Sequence, residues 1–155
     1  MKYLTITSPD VNNGDGCRAT LWIPGCRRSC PGCQNQHTHS YDQGEEFDQA
    51  SYKKLVSILS QSFIKGLTIS GGDPLDQSPT VLDDLYNMIC RLREDLPEKD
   101  IWLYTGYKID DLGPKQVDIV SMCDVVVDGP YIEGLRDVSL PFRGSSNQTI
   151  WKILR

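Results

Sequence analysis

Short apolar segments alternate with longer amphipathic ones along most of the chain. Six segments show the β-branched, aromatic or alternating pattern of strands: residues 2–8, 18–24, 66–70, 100–105, 123–129 and 149–154. Three others repeat apolar residues at helical spacing and predict helices over residues 47–63, 78–96 and 115–122. Ser78 is a favourable N-cap for the second helix, and Pro97 marks its end.

This order of elements predicts the fold class. Strands that alternate with helices are typical of parallel βαβ units. Short runs that are apolar on both faces, such as VVV at residues 125–127, fit strands buried between helices. We therefore expect an α/β fold with a mostly parallel sheet and flanking helices. The 155 residues show no repeat and no internal linker, so we expect a single domain over residues 1–155.

The segments that follow four of the predicted strands are chemically unusual. They read GCRRSCPGC at residues 25–33, GGDP at 71–74, TGY at 105–107 and DGPY at 128–131. In parallel α/β folds the carboxyl ends of the strands meet at one edge of the sheet, where active sites lie. The four segments are therefore expected to form one site.

Charge and hydropathy narrow the class of protein further. A net charge of -5 and a sequence pI near 4.9 argue against a nucleic-acid binder, which normally has a basic face. No apolar run approaches the ~20 residues of a membrane helix, and the N-terminal segment lacks the apolar core of a signal peptide. We expect a cytoplasmic protein that binds neither nucleic acid nor membrane. In that compartment clustered cysteines are metal ligands or catalysts more often than disulfides.

Three of the six cysteines, Cys26, Cys30 and Cys33, form a C-x3-C-x2-C run. Thiolates suit zinc or iron–sulfur clusters. Structural zinc usually has four protein ligands, and His37 and His39 could complete such a site, so zinc remains an alternative. A compact run of three thiolates better suits a 4Fe-4S cluster in which one iron has no protein ligand. The remaining cysteines are not expected to be ligands: Cys17, Cys90 and Cys123.

The cysteine run, together with the segment after the next strand, resembles the radical S-adenosylmethionine (SAM) enzymes. In that family the open iron binds the amino and carboxylate groups of SAM, and a glycine pair with an acidic residue follows the next strand. SGGDP at residues 70–74 occupies that place, with Asp73 where the family typically has Glu. The implied fold is a partial (β/α) barrel, because a complete (β/α)8 barrel usually needs about 250 residues.

Other segments narrow the resemblance to the activating proteins of anaerobic ribonucleotide reductase. CPGC has Gly32 where many radical SAM enzymes have an aromatic residue, and the segments WLYTGY, DGPY and LPFRGSSNQ are similar to that subfamily. The implied activity is reductive cleavage of SAM to a 5′-deoxyadenosyl radical, which generates a glycyl radical on the reductase. The implied partners are the large catalytic subunit of the reductase and a low-potential electron donor such as flavodoxin.

The resemblance also implies roles for individual residues. Three thiolates would ligate the cluster: Cys26, Cys30 and Cys33. Two groups would contact SAM: Gly32, Cys33 and Gln34 at the adenine, and Gly71, Gly72 and Asp73 at the methionine. No catalytic side chain is implied beyond the cluster and SAM. Two alternatives stay open, namely an activase of another glycyl-radical enzyme and a non-catalytic, zinc-stabilised interaction module.

Overall fold

A mixed six-stranded sheet forms the centre of the protein in the computed structural model, which describes residues 1–155. In spatial order its strands are β2 (Thr5–Asp10), β3 (Arg18–Ile23), β5 (Gly66–Gly71), β6 (Asp100–Tyr104), β7 (Val125–Asp128) and β8 (Thr149–Lys152). Two short strands, β1 (Lys2–Tyr3) and β4 (Glu45–Glu46), pair in a separate small sheet. All six predicted strands are thus present, the first of them divided into β1 and β2.

The four central strands are parallel, and the two edge strands are antiparallel to their neighbours. β3, β5, β6 and β7 run in one direction, whereas β2 and β8 run in the other. The connections explain the difference, because residues 11–17 and 129–148 join neighbouring strands without the crossover helix that a parallel pair requires. The predicted α/β class with a mostly parallel sheet is confirmed.

Three α-helices lie in the connections between parallel strands: α1 (Gln49–Leu59), α2 (Pro79–Asp95) and α3 (Pro114–Ser121). Each of the first two begins at a polar N-cap. Asp48 Oδ1 accepts a hydrogen bond from Ser51 N at 2.9 Å, and Ser78 Oγ accepts one from Val81 N at 3.3 Å. The three predicted helices are confirmed, although α1 is shorter than the predicted range of 47–63.

One apolar core joins the sheet to the helices. Leu21, Ile69 and Leu103 of the central strands are fully buried, as are Leu55 of α1 and Leu85 of α2. β5 is buried at all six positions, including the polar Thr68 and Ser70, as expected for a central parallel strand that is covered on both faces. This packing fixes the carboxyl ends of the parallel strands side by side. None of the helices has the length and apolarity to cross a membrane.

Candidate cofactor site

The carboxyl ends of the parallel strands surround a cavity of about 360 Å³. Each of the four segments singled out in the sequence contributes lining residues, among them Cys26, Gly72, Thr105 and Gly129. Residues 131–148, which join β7 to β8, form another wall of the same cavity. The expectation that the four strand-end segments form one site is therefore confirmed.

All three cysteines of the C-x3-C-x2-C run line this cavity. Cys26, Cys30 and Cys33 are half-buried thiols on the loop after β3, which we call the cysteine loop (residues 24–35). No three His, Cys, Asp or Glu side chains lie together in a group that could hold a single metal ion. A tetrahedral zinc site needs four ligands at about 2.0–2.3 Å, so the arrangement gives no support to the zinc alternative. A cluster, in contrast, distributes its thiolates over several irons.

Cys26 lies in a tight turn of the cysteine loop. The backbone N–H groups of Arg28 and Ser29 lie beside its sulfur. Ser29 has a φ of 46°, in the left-handed region that lets the chain turn sharply. Burial raises the pKa of the Cys26 thiol, with nearby Asp73 adding to the effect, while these N–H groups act in the opposite direction. Hydrogen bonds to cluster sulfurs help to set the reduction potential of a bound cluster.

The glycine pair after β5 packs directly against the cysteine loop. Gly71 has a φ of 123°, and a Cβ atom there would lie 2.3 Å from Ile23 O. A Cβ atom on Gly72 would lie 2.3 Å from Gly25 O. Glycine is therefore required at both positions by the close approach of two backbones. The three soft thiolates and this close-packed support fit the predicted cluster.

Asp73 is buried, and its carboxylate is engaged within the protein. Oδ1 accepts hydrogen bonds from Leu75 N and Thr105 Oγ1 at 2.9 Å each, and Oδ2 accepts one from Gly106 N at 2.9 Å. Arg28 Nη1 lies 3.8 Å from Oδ2. Burial raises the pKa of Asp73, and these donors offset only part of that rise. The side chain of Asp73 thus ties the ends of β5 and β6 to the cysteine loop.

The residues predicted at the adenine of SAM do not all reach the cavity. Cys33 and Gln34 line it, together with Gly71, Gly72 and Asp73 from the second predicted group. Gly32 does not line it. Instead, a Cβ atom on Gly32 would lie 2.8 Å from Cδ of Glu133, on the connection between β7 and β8. The Glu133 side chain could move to admit a Cβ atom, so the reason for glycine at this position is its φ of 74°.

The segment LPFRGSSNQ folds back on DGPY through its own polar groups. Gln148 Oε1 accepts a hydrogen bond from Gly144 N at 2.9 Å, and Asn147 Nδ2 donates to Pro130 O at 2.7 Å. Arg143 Nη1 donates to Gln148 O at 2.6 Å, so Arg143 is bound internally. These bonds hold residues 131–148 as an ordered wall of the cavity.

Two residues next to the GGDP motif were not singled out in the sequence, although both anchor the cysteine loop. Gln77 Nε2 donates to Pro24 O at 3.1 Å and to Asp73 O at 2.9 Å. Asp76 is 4% exposed and pairs with Arg27. Burial alone would raise the pKa of Asp76, but hydrogen bonds from Arg27 and Tyr41 lower it to about 2. For the pair of Arg27 and Asp76, the opposite charges in RR and in GGDPLD were the only sequence signal. The contacts of Gln77 had no such signal.

Fold and site together define a small α/β protein with three cysteines at the carboxyl edge of a parallel sheet. Residues 12–151 match the family model described as a 4Fe-4S single cluster domain. This match confirms the predicted iron–sulfur cluster, because the family model covers most of the chain, including all three cysteines.

Relatives over the whole length narrow the class further. The chain is 40% identical over 152 residues to the anaerobic ribonucleoside-triphosphate reductase-activating protein of Escherichia coli (strain K12), covering 97% of each chain. It is 42% identical over 151 residues to the protein of that name from Enterobacteria phage T4, covering 97% of this chain and 94% of the relative. The chain belongs to the family of anaerobic ribonucleoside-triphosphate reductase-activating proteins.

Proposed function

We propose that this protein activates an anaerobic ribonucleotide reductase by cleaving SAM reductively. The 5′-deoxyadenosyl radical so formed would remove a hydrogen atom from a glycine of the reductase, leaving a glycyl radical. The observation that carries the proposal is the meeting of three cysteines and the GGD segment in one cavity, in a chain of the activating-protein family. A bound cluster supplies the single electron that this cleavage needs.

The residues of the chain have separate tasks in this function. Cys26, Cys30 and Cys33 would hold the cluster as thiolates, and three thiolates leave one iron for SAM. Gly71, Gly72 and Asp73 would meet the methionine part of SAM, and Gly32, Cys33 and Gln34 its adenine. Five of these six positions line the cavity, which supports the assignment. Gly32 would act by shaping the loop, because it packs against Glu133 rather than facing the cavity.

The architecture of the sheet fits a protein substrate. We infer that the four parallel strands and their helices are a partial barrel of the radical SAM type, contained in the single domain of residues 1–155. The cavity reaches the surface beside Arg136 and Val138, and Val138 is 84% exposed. A glycine-bearing segment of the large catalytic subunit of the reductase could enter there. The electron donor would be a low-potential protein such as flavodoxin, since SAM cleavage needs the low end of a range of roughly -700 to +450 mV.

The test is SAM cleavage by the anaerobically reconstituted protein. With dithionite and SAM, we expect a brown protein that forms 5′-deoxyadenosine. Adding the large reductase subunit should increase turnover and produce a glycyl-radical signal in electron paramagnetic resonance (EPR) spectra. A different glycyl-radical enzyme, added in parallel, should remain without that signal. Failure to form deoxyadenosine under any reducing condition would refute the proposed activity.

A further inference from the structure

We propose that Asp76 is a positioning residue for the cysteine loop. Its carboxylate fixes the backbone turn that follows Cys26. The conformation of this turn sets the surroundings of a cluster bound to the three cysteines. The inference rests on the proposed function only in requiring such a cluster. Asp76 itself does not line the cavity, so it has no place in ligand binding by direct contact.

The carboxylate of Asp76 holds Arg27 by both its backbone and its side chain. Oδ2 accepts a hydrogen bond from Arg27 N at 2.8 Å. Oδ1 accepts one from Arg27 Nε at 2.9 Å and a second, shorter one from Arg27 Nη2. A carboxylate that is 4% exposed and bonded in this way leaves Arg27 little freedom, because charge-assisted bonds are stronger than neutral ones.

Two tyrosines bring further loops to the same carboxylate. Tyr41 Oη donates to Asp76 O at 2.6 Å and reaches Oδ2 at 3.1 Å, and Tyr107 Oη donates to Oδ1 at 3.3 Å. The Tyr41 ring also packs against Gly25, where an added Cβ atom would lie 2.1 Å from the ring. Asp76 therefore joins the cysteine loop to the segments that carry Tyr41 and Tyr107.

The bond to Arg27 controls the turn around Cys26. On either side of this turn the cysteine loop is held by Cys26 N donating to His39 O at 3.0 Å and by Cys33 N donating to Cys30 O at 3.1 Å. Between those points, Arg27 N is the backbone group bonded to a distant part of the chain. Because Arg27 directly follows Cys26, fixing Arg27 restricts the turn that continues through Arg28 to Ser29, where φ is 46°. Such outer contacts orient metal ligands and tune the metal site.

Asp124 provides a matched control at the other end of the sheet. Like Asp76, it accepts two hydrogen bonds from arginine side chains, Arg93 Nη2 at 2.7 Å and Arg155 Nε at 3.1 Å, and one from a backbone amide, Ile101 N at 2.7 Å. It lies immediately before β7, far along the sheet from the cysteine loop. If Asp76 contributed only to the stability of the fold, replacing Asp124 should therefore have the same effects as replacing Asp76.

The experiment compares Asp76→Asn, Asp76→Ala and Asp124→Asn with the wild-type protein after anaerobic reconstitution. The readouts are the rate of cluster loss to an iron chelator, the EPR spectrum of the reduced cluster and its midpoint potential. We expect both Asp76 variants to lose the cluster about tenfold faster and to change the EPR spectrum and the potential. Asp124→Asn should match the wild type in all three, even though its apo form unfolds at lower urea concentration.

Two results would overturn the role of Asp76. One is a cluster in both Asp76 variants that equals the wild-type cluster in loss rate, spectrum and potential. The other is an equal change in Asp124→Asn, which would reduce the effect to general stability. Failure of the proposed function is recognised separately, because the wild-type protein would then not load a four-iron cluster or cleave SAM.

Discussion

Arginine–aspartate pairs hold both ends of the parallel sheet, but at the amino end they join regular elements. Arg18, which is fully buried, pairs with Asp100 at 2.6 Å, and these residues begin β3 and β6. Arg93 of α2 pairs with Asp124 at 2.7 Å, immediately before β7. These contacts set strands and a helix relative to one another, and they lie away from the cavity.

At the carboxyl end the same chemistry joins loops. Arg27 and Arg28 belong to the cysteine loop, whereas their partners Asp76 and Asp73 follow β5. No strand ladder orders these loops, so side-chain contacts join a few backbone hydrogen bonds in holding them. A change at the amino end should therefore alter stability without altering chemistry, whereas a change at the carboxyl end should alter the site.

The largest difference between the two ends should come from the cysteines. Replacing Cys26, Cys30 or Cys33 by Ala removes a thiolate at the carboxyl end. We expect loss of most of the visible cluster absorbance and complete loss of SAM cleavage, because three thiolates already leave one iron open. Iron content, the visible spectrum and 5′-deoxyadenosine formation after reconstitution measure the effect.

The remaining cysteines serve as controls for that experiment. Cys17 precedes β3, Cys123 precedes β7 and Cys90 lies on α2, so none is near the carboxyl ends of the strands. Their Ala variants should keep the cluster. Cys123 is fully buried, so its Ala variant should instead lose some stability. Loss of the cluster from any of these three variants would contradict the ligand assignment.

The sequence alone predicted much of this site because its parts lie at strand ends. Apolar periodicity located the strands and helices, and parallel βαβ order then implied that the cysteine run and GGDP would meet. The direction of the edge strands β2 and β8 was not predictable from periodicity, because direction depends on whether a crossover helix lies in the connection.

Side-chain contacts between loops also could not be predicted from local sequence patterns. Arg27 and Asp76 lie 49 residues apart, and nothing in either segment specifies its partner. That the carboxylate of Asp73 accepts hydrogen bonds from Leu75, Thr105 and Gly106 could not be predicted from GGDP either. Buried polar groups satisfy one another wherever the fold brings them together, and that depends on the whole tertiary structure.

A large loss of stability without loss of the site should follow from Asp100→Ala at the amino end. Arg18 would then be a fully buried cation without a carboxylate, since its other acceptors are Thr68 Oγ1, Leu67 O and Asp15 O. Removing one partner of a buried pair costs about 3 kcal/mol. Urea unfolding of the apo-protein measures this loss, and the reconstituted variant should keep the wild-type EPR spectrum.

The exposed pair of Lys115 and Asp83 is the control for Asp100→Ala. Both side chains are at least half exposed, so Lys115→Ala should cost less than about 1 kcal/mol. An Asp100→Ala variant as stable as Lys115→Ala would show that the amino-end pair contributes little to the free energy of unfolding.

Low pH should destabilise the amino end of the sheet, because it protonates Asp124. Burial alone would raise the pKa of Asp124, but hydrogen bonds from Arg93 and Ile101 lower it below the ordinary value of 3.8. Because the folded pKa lies below the unfolded one, this stabilisation is present above pH ~4 and is lost as the pH falls through the folded pKa. In urea unfolding of the apo-proteins, wild type should exceed Asp124→Asn by about 2 kcal/mol near neutral pH. The gap should close in acid, and a gap that widened there would contradict the assigned direction.

The smallest effect tests the carboxyl end through Thr105→Val. Thr105 is 5% exposed, and its hydroxyl donates to Asp73 Oδ1 at 2.9 Å and accepts from Tyr107 N at 3.2 Å. Valine keeps the shape but removes one donor from a buried carboxylate and the acceptor of one backbone N–H. The variant should lower the free energy of unfolding of the apo-protein by about 1 kcal/mol. It should also loosen the tie between β5, β6 and the cysteine loop, which the EPR spectrum of the reduced cluster would report.

Thr149→Val, on the exposed edge strand, is the control for Thr105→Val. It should change stability by less than about 0.5 kcal/mol and leave the spectrum unchanged. If Thr105→Val lowered stability while leaving the spectrum unchanged, Asp73 would resemble the amino-end aspartates, and the contrast between the two ends would rest on Asp76 alone.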